Sequence, residues 1–198
     1  LHPIPQGGAG GTPAAAGDAR VVGHGEHMAR NIEIKARIQD VEAITAKVAD
    51  LADEGPIEIL QDDTFFNCEE GRLKLRTIPQ GGAEGQLIFY RRPNQSGPKE
   101  SFYIVSPTAS PDSLREALSL AYGQAGRVRK HRTLYFVGRT RVHLDRVENL
   151  GHFLELEVVL SEGELSESGV MEANNLMESL GISSEQLIDG AYVDLIAQ

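Results

Sequence analysis

Residues 31–37 place polar and apolar side chains on strictly alternating positions, the period of a strand with two unlike faces. Asn31, Glu33, Lys35 and Arg37 share one face; Ile32, Ile34 and Ala36 share the other, with Ile38 extending it. The pattern recurs along the chain. Arg72, Lys74 and Arg76 alternate with Leu73 and Leu75, and Lys130 and Arg132 repeat the cationic spacing. Arg141, His143 and Asp145 oppose Val142 and Leu144, while Glu155 and Glu157 oppose Leu154, Leu156 and Val158. Such strands fit a flat sheet wetted on one face, and equally a closed barrel whose lumen is charged and whose outside is covered by helices. Closure disposes of every sheet edge and gathers the charges around one axis.

Between these strands the periodicity changes. Asp40 is an N-cap for a helix to about residue 52, with Val41, Ile44, Val48 and Leu51 on one side and Gly55-Pro56 as its stop. Residues 57–60 and 64–66 read as strand material interrupted by the polar trio Gln61, Asp62 and Asp63. After Gly71 comes the cationic strand 72–77, then a glycine-rich turn at 80–85 and a returning strand at 87–92. No Gly-Lys-Ser/Thr follows those glycines and a strand comes next, so the turn is a hairpin loop, not a phosphate loop. Lys99, Ser101 and Tyr103 form the polar face of a further strand. Ser110 and Pro111 then open a helix with Leu114, Ala117, Leu118 and Ala121 on its apolar side and Gly123 as its stop. Strands at 127–137, 140–146 and 153–160 precede a helix at 170–180 closed by Gly181. Ser183 and Gln186 make a capping box before a short last helix through Tyr192 and Leu195.

Composition narrows the function classes. The 198 residues suit a single domain with its own core. A net charge of −10 argues against a general nucleic-acid binder, so the cations that matter must be concentrated locally. Cys68 is the sole cysteine, which excludes an internal disulfide framework and suits a reducing, cytoplasmic setting. No apolar run approaches the ~18 residues that a membrane span requires. Residues 1–27, rich in Gly, Ala and Pro, lack hydrophobic periodicity and read as a disordered leader. Met28 then marks where a domain over 28–198 begins. His24 and His27 in that leader read as stray histidines rather than a metal site.

With the charged strands in order, the chain resembles the CYTH superfamily, the triphosphate-tunnel enzymes that include class IV adenylyl cyclases and thiamine triphosphatases. Its opening signature, Glu-x-Glu-x-Lys, aligns with Asn31-Ile-Glu33-Ile-Lys35, so the first acid is replaced by Asn31. The resemblance continues through Gly71 to Arg76, Leu87 to Arg92, Lys130-His-Arg132, Arg141 to Asp145, Val147 to Gly151 and Phe153 to Glu157. The last segment is most similar to the class IV adenylyl cyclase branch. The resemblance implies an α+β fold: an antiparallel closed β-barrel of about eight strands forming a triphosphate tunnel, with helices packed outside.

A triphosphate carries several charges on a short chain and needs cations from several directions. Lys35, Arg37, Arg72, Lys74, Arg76, Arg92, Lys99, Lys130, Arg132 and Arg141 are the candidates, arginine being suited to bidentate phosphate contacts. Arg92 is preferred to Arg91 because it shares the face of Tyr90. Acids among those cations are accounted for as ligands of Mg²⁺ or Mn²⁺, hard ions that accept carboxylate and phosphate oxygens together: Glu33, Asp145, Glu155 and Glu157. The bland alternative is that they only pair with neighbouring cations. Glu33, Lys35 and Glu157 are the residues expected at the chemistry itself. His143 reads either as a hydrogen-bonded structural histidine or as an acid or base.

Three functions follow from the resemblance. The first is a cyclase converting ATP to cyclic AMP and pyrophosphate. The second is a triphosphatase using water as nucleophile on inorganic or organic triphosphates. The third is a silent binder of polyphosphate or nucleotide, kept open by Asn31. The absence of Trp removes indole stacking and disfavours a dedicated thiamine triphosphatase. The partners implied are a nucleotide or other triphosphate, with no nucleic acid and no membrane. Resemblance to the cyclase branch also implies a homodimer.

Overall fold

Eight antiparallel strands close into a barrel in the order β1-β5-β4-β3-β2-β6-β7-β8 in the computed structural model, which describes residues 29–79 and 84–198. The strands are β1 (Ala29–Arg37), β2 (Glu54–Phe66), β3 (Arg72–Thr77), β4 (Gly85–Arg91), β5 (Lys99–Thr108), β6 (Gln124–Val137), β7 (Thr140–Val147) and β8 (Gly151–Val159). Outside lie α1 (Val41–Leu51), α2 (Pro111–Tyr122), α3 (Ser166–Leu180) and the short α4 (Tyr192–Ile196). The expectations for the leader, including His24, His27 and Met28, and for most of the glycine-rich turn fall outside the described residues.

Of the two sheet architectures compatible with the sequence, the barrel is the one formed. Alternation now has a spatial meaning: Ile32, Ile34 and Ala36 of β1, Val142 and Leu144 of β7, and Leu154, Leu156 and Val158 of β8 point outward. They form one buried cluster with Ile44 and Val48 of α1 and Ala173, Leu176 and Leu180 of α3. Charged positions of the same strands point inward. The main hydrophobic core therefore lies between the barrel wall and its helices, not on the barrel axis.

Local sequence explains most element ends. Asp40 caps α1, its carboxylate accepting the Ala43 N–H at 3.0 Å. Gly181 adopts φ 72° and ends α3 by returning its N–H to Glu178 and Met177 carbonyls. Four details differ from expectation. The helix before β2 stops at Leu51, and Gly55-Pro56 falls inside β2. Residues 57–66 are one uninterrupted stretch of strand, because Gln61 and Asp63 face a polar bore where a polar residue is no break. On α2 the buried residue is Pro111, while Ala117 and Ala121 are exposed. The Ser183–Gln186 capping box closes a one-turn 3-10 helix, Ser184–Gln186, and α4 starts separately at Tyr192.

Contact between α3 and β1 depends on Gly169. A Cβ there would stand 2.7 Å from Ile32 Cγ1 and 2.7 Å from Leu160 Cδ2, both in the buried cluster. A helix-interior glycine costs about 1 kcal/mol relative to alanine, a cost accepted here for close approach. Gly169→Val is therefore expected to overpack this layer and lower unfolding free energy by about 1–3 kcal/mol, read from the denaturant midpoint at unchanged slope.

Candidate active site

Every strand contributes to the bore. Strand β1 supplies Asn31, Glu33 and Lys35; β2 supplies Gln61, Asp63 and Phe65; β3 supplies Lys74 and Arg76. Ile88 and Tyr90 of β4, Ser101 and Tyr103 of β5, and Arg132 of β6 complete the middle, with Arg92 just beyond β4. Arg141 and His143 come from β7, Glu155 and Glu157 from β8. Register sets Lys35 of β1 opposite Glu155 of β8 and Arg141 of β7 opposite Glu157, pairs of opposite sign, while it also sets the acid Glu33 opposite Glu157 and His143 opposite Glu155.

These charges form linked clusters. Asp63 receives Lys74 Nζ at 2.8 Å and a two-point contact from Arg76, Nε and Nη2 each at 2.8 Å. Asp145 receives a two-point contact from Arg132 at 2.7 Å, Lys130 Nζ at 3.1 Å and the Tyr192 hydroxyl at 3.0 Å. Arg132 also reaches Glu155 at 2.7 Å, and Arg141 donates to Glu157 at 2.9 Å. Glu33 is held more loosely, 3.5 Å from both Lys35 and Arg92. Its buried Oε1 has no hydrogen-bond partner, nor do Asn31 Oδ1, Gln61 Oε1 and His143 Nδ1.

Burial and neighbouring charge set the protonation states. Burial, with Arg76 and Lys130 beside it, pulls Lys74 down to about 7 in spite of Asp63. Burial pulls Lys99 down to about 8, with Arg92 adding to the effect. For Glu157 burial pushes upward, but neighbouring positive charge, Arg141 foremost, outweighs it and holds the carboxyl at about 2. Glu33 is raised, by burial first, with Lys35 offsetting only part of it. Burial and then Arg132 lower His143 and favour the neutral imidazole.

The bore brings together six of the ten expected cations: Lys35, Lys74, Arg76, Arg92, Arg132 and Arg141. Arg92, not Arg91, turns inward, its side chain 1 % exposed, whereas Arg91 lies outside over the Phe102 ring. The other four are placed elsewhere. Arg37 is exposed at the strand end, donating to the Leu150 carbonyl at 3.0 Å and stacked 4.8 Å from the Phe153 ring. Arg72 pairs with Asp194 of α4 at 2.5 Å. Lys99 is buried against the Gln95 carbonyl at 2.9 Å, and Lys130 is committed to Asp145. Asp145 itself, expected as a metal ligand, has both oxygens taken by N–H and O–H donors and acts as the anchor of Arg132.

Glu155, Glu157 and His143 present one donor atom each within 4.8 Å of one another, a set of two carboxylates and an imidazole that fits a divalent cation. The orphaned Glu33 Oε1 belongs to the residue opposite Glu157.

Residues 187–193 cross one end of the barrel. Ala36 bridges Leu187, Ile188 N–H donates to the Lys35 carbonyl at 2.9 Å, and Arg92 donates to the Asp189 and Gly190 carbonyls at 3.2 Å. Tyr192 closes that end, its ring 4.3 Å from Lys35 Nζ and 5.0 Å from Lys130 Nζ. Sequence reasoning missed Tyr192, Asp63 and Gln61 as bore residues, while Tyr103 lies on the polar face it was given. For Asp63 the signal was present, since it is two residues from Gln61 and Phe65 and in phase with them; for Tyr192 there was none.

An eight-stranded antiparallel barrel with a charged bore and external helices defines a tunnel-barrel protein of the α+β class. The chain belongs to the CYTH domain family, whose family model matches residues 29–192. It is 30% identical over 175 residues to a protein named adenylate cyclase CyaB of Aeromonas hydrophila, covering 84% of this chain and 88% of that one. Among solved structures it is similar to the PH1012 protein of Pyrococcus horikoshii OT3, with TM-score 0.72, 24% identity and coverage of 83% of this chain and 98% of that one. HpAC1 of Hippeastrum, described with a dominant triphosphatase activity, has TM-score 0.59 at 16% identity, with coverage of 84% and 94%, and shares the fold.

The shifted lysine gives a prediction with a definite sign. At pH 8 Lys74 is mostly neutral, and a bound polyanion favours its ammonium form. Lys74 is therefore expected to contribute proton uptake to the binding of inorganic triphosphate at pH 8, over and above any proton the triphosphate itself releases. Calorimetry in buffers of different ionisation enthalpy reads the uptake, and Lys74→Met should reduce it.

Proposed function

We propose that this protein is a divalent-metal-dependent enzyme that takes a triphosphate into the bore, and that its reaction is the conversion of ATP to cyclic AMP and pyrophosphate. The supporting observation is the convergence of six cations, five on strands and Arg92 just beyond β4, on one lumen that also holds Glu33, Glu155 and Glu157. Concentrating positive charge in a chain of net charge −10 has a direct purpose if the ligand is a compact polyanion.

Roles follow from the contacts. A guanidinium carries five N–H donors, so Arg76 retains donors for phosphate oxygens beyond the two it gives Asp63. Arg132 and Arg141, fixed by Asp145, Glu155 and Glu157, are held ready to bind without reorganising. Lys35, 3.4 Å from Glu155 and 3.5 Å from Glu33, sits where the acids meet the phosphate path. A divalent ion held by Glu155 and Glu157, with Glu33 beside them, would neutralise phosphate charge and stabilise the oxygen released as the anhydride breaks. In the cyclase reading the ribose 3′-oxygen loses its proton, bonds to the α-phosphorus and expels pyrophosphate. The 30% identical relative named adenylate cyclase supports this over hydrolysis. Asn31 supports it too, because a neutral amide in place of the first acid leaves less charge for a second ion that would activate water.

Product analysis decides. Incubated with Mg²⁺ or Mn²⁺ and ATP, inorganic triphosphate or thiamine triphosphate, the protein is expected to form cyclic AMP and pyrophosphate from ATP. Orthophosphate release instead assigns it as a triphosphatase, and tight binding with no turnover as a silent binder. Arg76→Ala should raise KM by about 10- to 100-fold, the loss of a charge-assisted contact. Glu157→Ala should mainly lower kcat and move the metal requirement to higher concentration. Full activity in both variants would refute the site assignment.

A further inference from the structure

His143 is 3 % exposed on the inner face of β7, and its Nδ1 has no hydrogen-bond partner. A buried imidazole nitrogen left unpaired carries a desolvation cost, which a native structure ordinarily removes with a partner. It faces two acids, Glu155 Oε2 at 3.8 Å and Glu157 Oε1 at 4.0 Å, with the Arg132 guanidinium, bonded to that Glu155 oxygen, also close enough to disfavour a charged imidazole. Those separations are too long for hydrogen bonds. They match another arrangement. Two donors each about 2.1–2.2 Å from a common ion stand between about 3 and 4.4 Å apart, depending on the angle at the ion.

We infer that His143 is a nitrogen ligand to the divalent ion of this site, completing with Glu155 and Glu157 a mixed nitrogen–oxygen set that selects a first-row transition ion such as Mn²⁺ over Mg²⁺. The inference rests on the reading of the acidic cluster as a metal site and adds the ligand that decides which metal it takes. Mg²⁺ is a hard ion that favours oxygen donors and retains its waters, so an imidazole offers it little. Imidazole suits the first-row transition ions, and Mn²⁺, the most oxygen-loving of that series, still gains more from it than Mg²⁺ does. Position 31 makes the addition matter. Asn31 lines the same bore from β1 with a neutral amide, and a nitrogen donor on β7, on the other side of β8, adds a ligand without adding repulsion to the phosphates.

The test uses the full chain with Mn²⁺ or Mg²⁺ alone and no nucleotide. Pulsed electron paramagnetic resonance of bound Mn²⁺ should show nitrogen coupling that changes isotope when histidine is supplied as ¹⁵N and disappears in His143→Gln. Calorimetry should show tighter binding of Mn²⁺ than Mg²⁺, with that preference falling about tenfold or more in His143→Gln. The wild-type spectrum needs no variant, so a folding defect in His143→Gln leaves the inference exposed. Mn²⁺ binding that Glu157→Gln weakens but that shows no histidine nitrogen would overturn the nitrogen ligand and leave the metal site standing. The same holds if the coupling or the preference survives His143→Gln. If neither ion binds, or Glu155→Gln and Glu157→Gln leave binding unchanged, the metal site and the inference fall together.

Discussion

Like charges repel one another across a shared bore and stay there only if something holds them. In this barrel two buried aspartates do so. Asp63 grips Lys74 and Arg76 from the neighbouring strand, and Asp145 grips Arg132 and Lys130 while accepting the Tyr192 hydroxyl. Both carboxyls are held well below the usual range: burial works against ionisation, but Arg76 and Lys74 outweigh it at Asp63, and Arg132 and Lys130 at Asp145. Such pairs contribute little net stability, because desolvating the ions offsets much of their attraction. What they supply is position. Cations fixed in advance are oriented towards the axis before any anion enters.

The apolar side of the same strands makes that arrangement affordable. Ile32, Ile34, Leu154, Leu156 and Val158 are 0 % exposed, sandwiched between wall and helices, so the stabilising burial is outside the barrel and the charged surface is inside. One end of the bore is then crossed by the chain's own C-terminal part, where Ala191, Tyr192 and Val193 pack with Phe65, Val128 and Phe153. Gly126 admits that segment, since a Cβ there would stand 2.7 Å from Val193 Cγ2. Arg92 and Lys99, both legible in the sequence as cations on inner faces, hydrogen-bond to backbone carbonyls around this crossing.

Legibility tracked how local each determinant was. Strand faces at 31–37, 72–76, 141–145 and 153–158 were readable because alternation is a two-residue property. Asp40 and Gly181 were readable because capping is settled within one turn of helix. Residues 57–66 were divided in two for an instructive reason: Gln61 and Asp63 look like a break only if the inside of a protein is taken to be apolar. The cations divided in the same way. Arg37 and Arg72 share inner-face phase with Lys35 and Lys74, yet they lie at strand ends, where Leu150 and Asp194 compete for them.

By itself, then, the sequence determined which side chains share a face in the alternating strands, the Asp40 start of α1 and the Gly181 end of α3, and the segregation of charge from aliphatics along residues 31–37, 72–76, 141–145 and 153–158, since each of these follows from spacing along one segment. Only the tertiary structure decided that the charged faces turn inward around one axis, that Asp145 accepts from Arg132, Lys130 and Tyr192, and that His143 meets Glu155 and Glu157. Closure of β1 against β8 pairs residues more than a hundred positions apart, and the Asp145 and His143 contacts follow from the register of the β6–β7 and β7–β8 hairpins, which alternation within one strand does not fix.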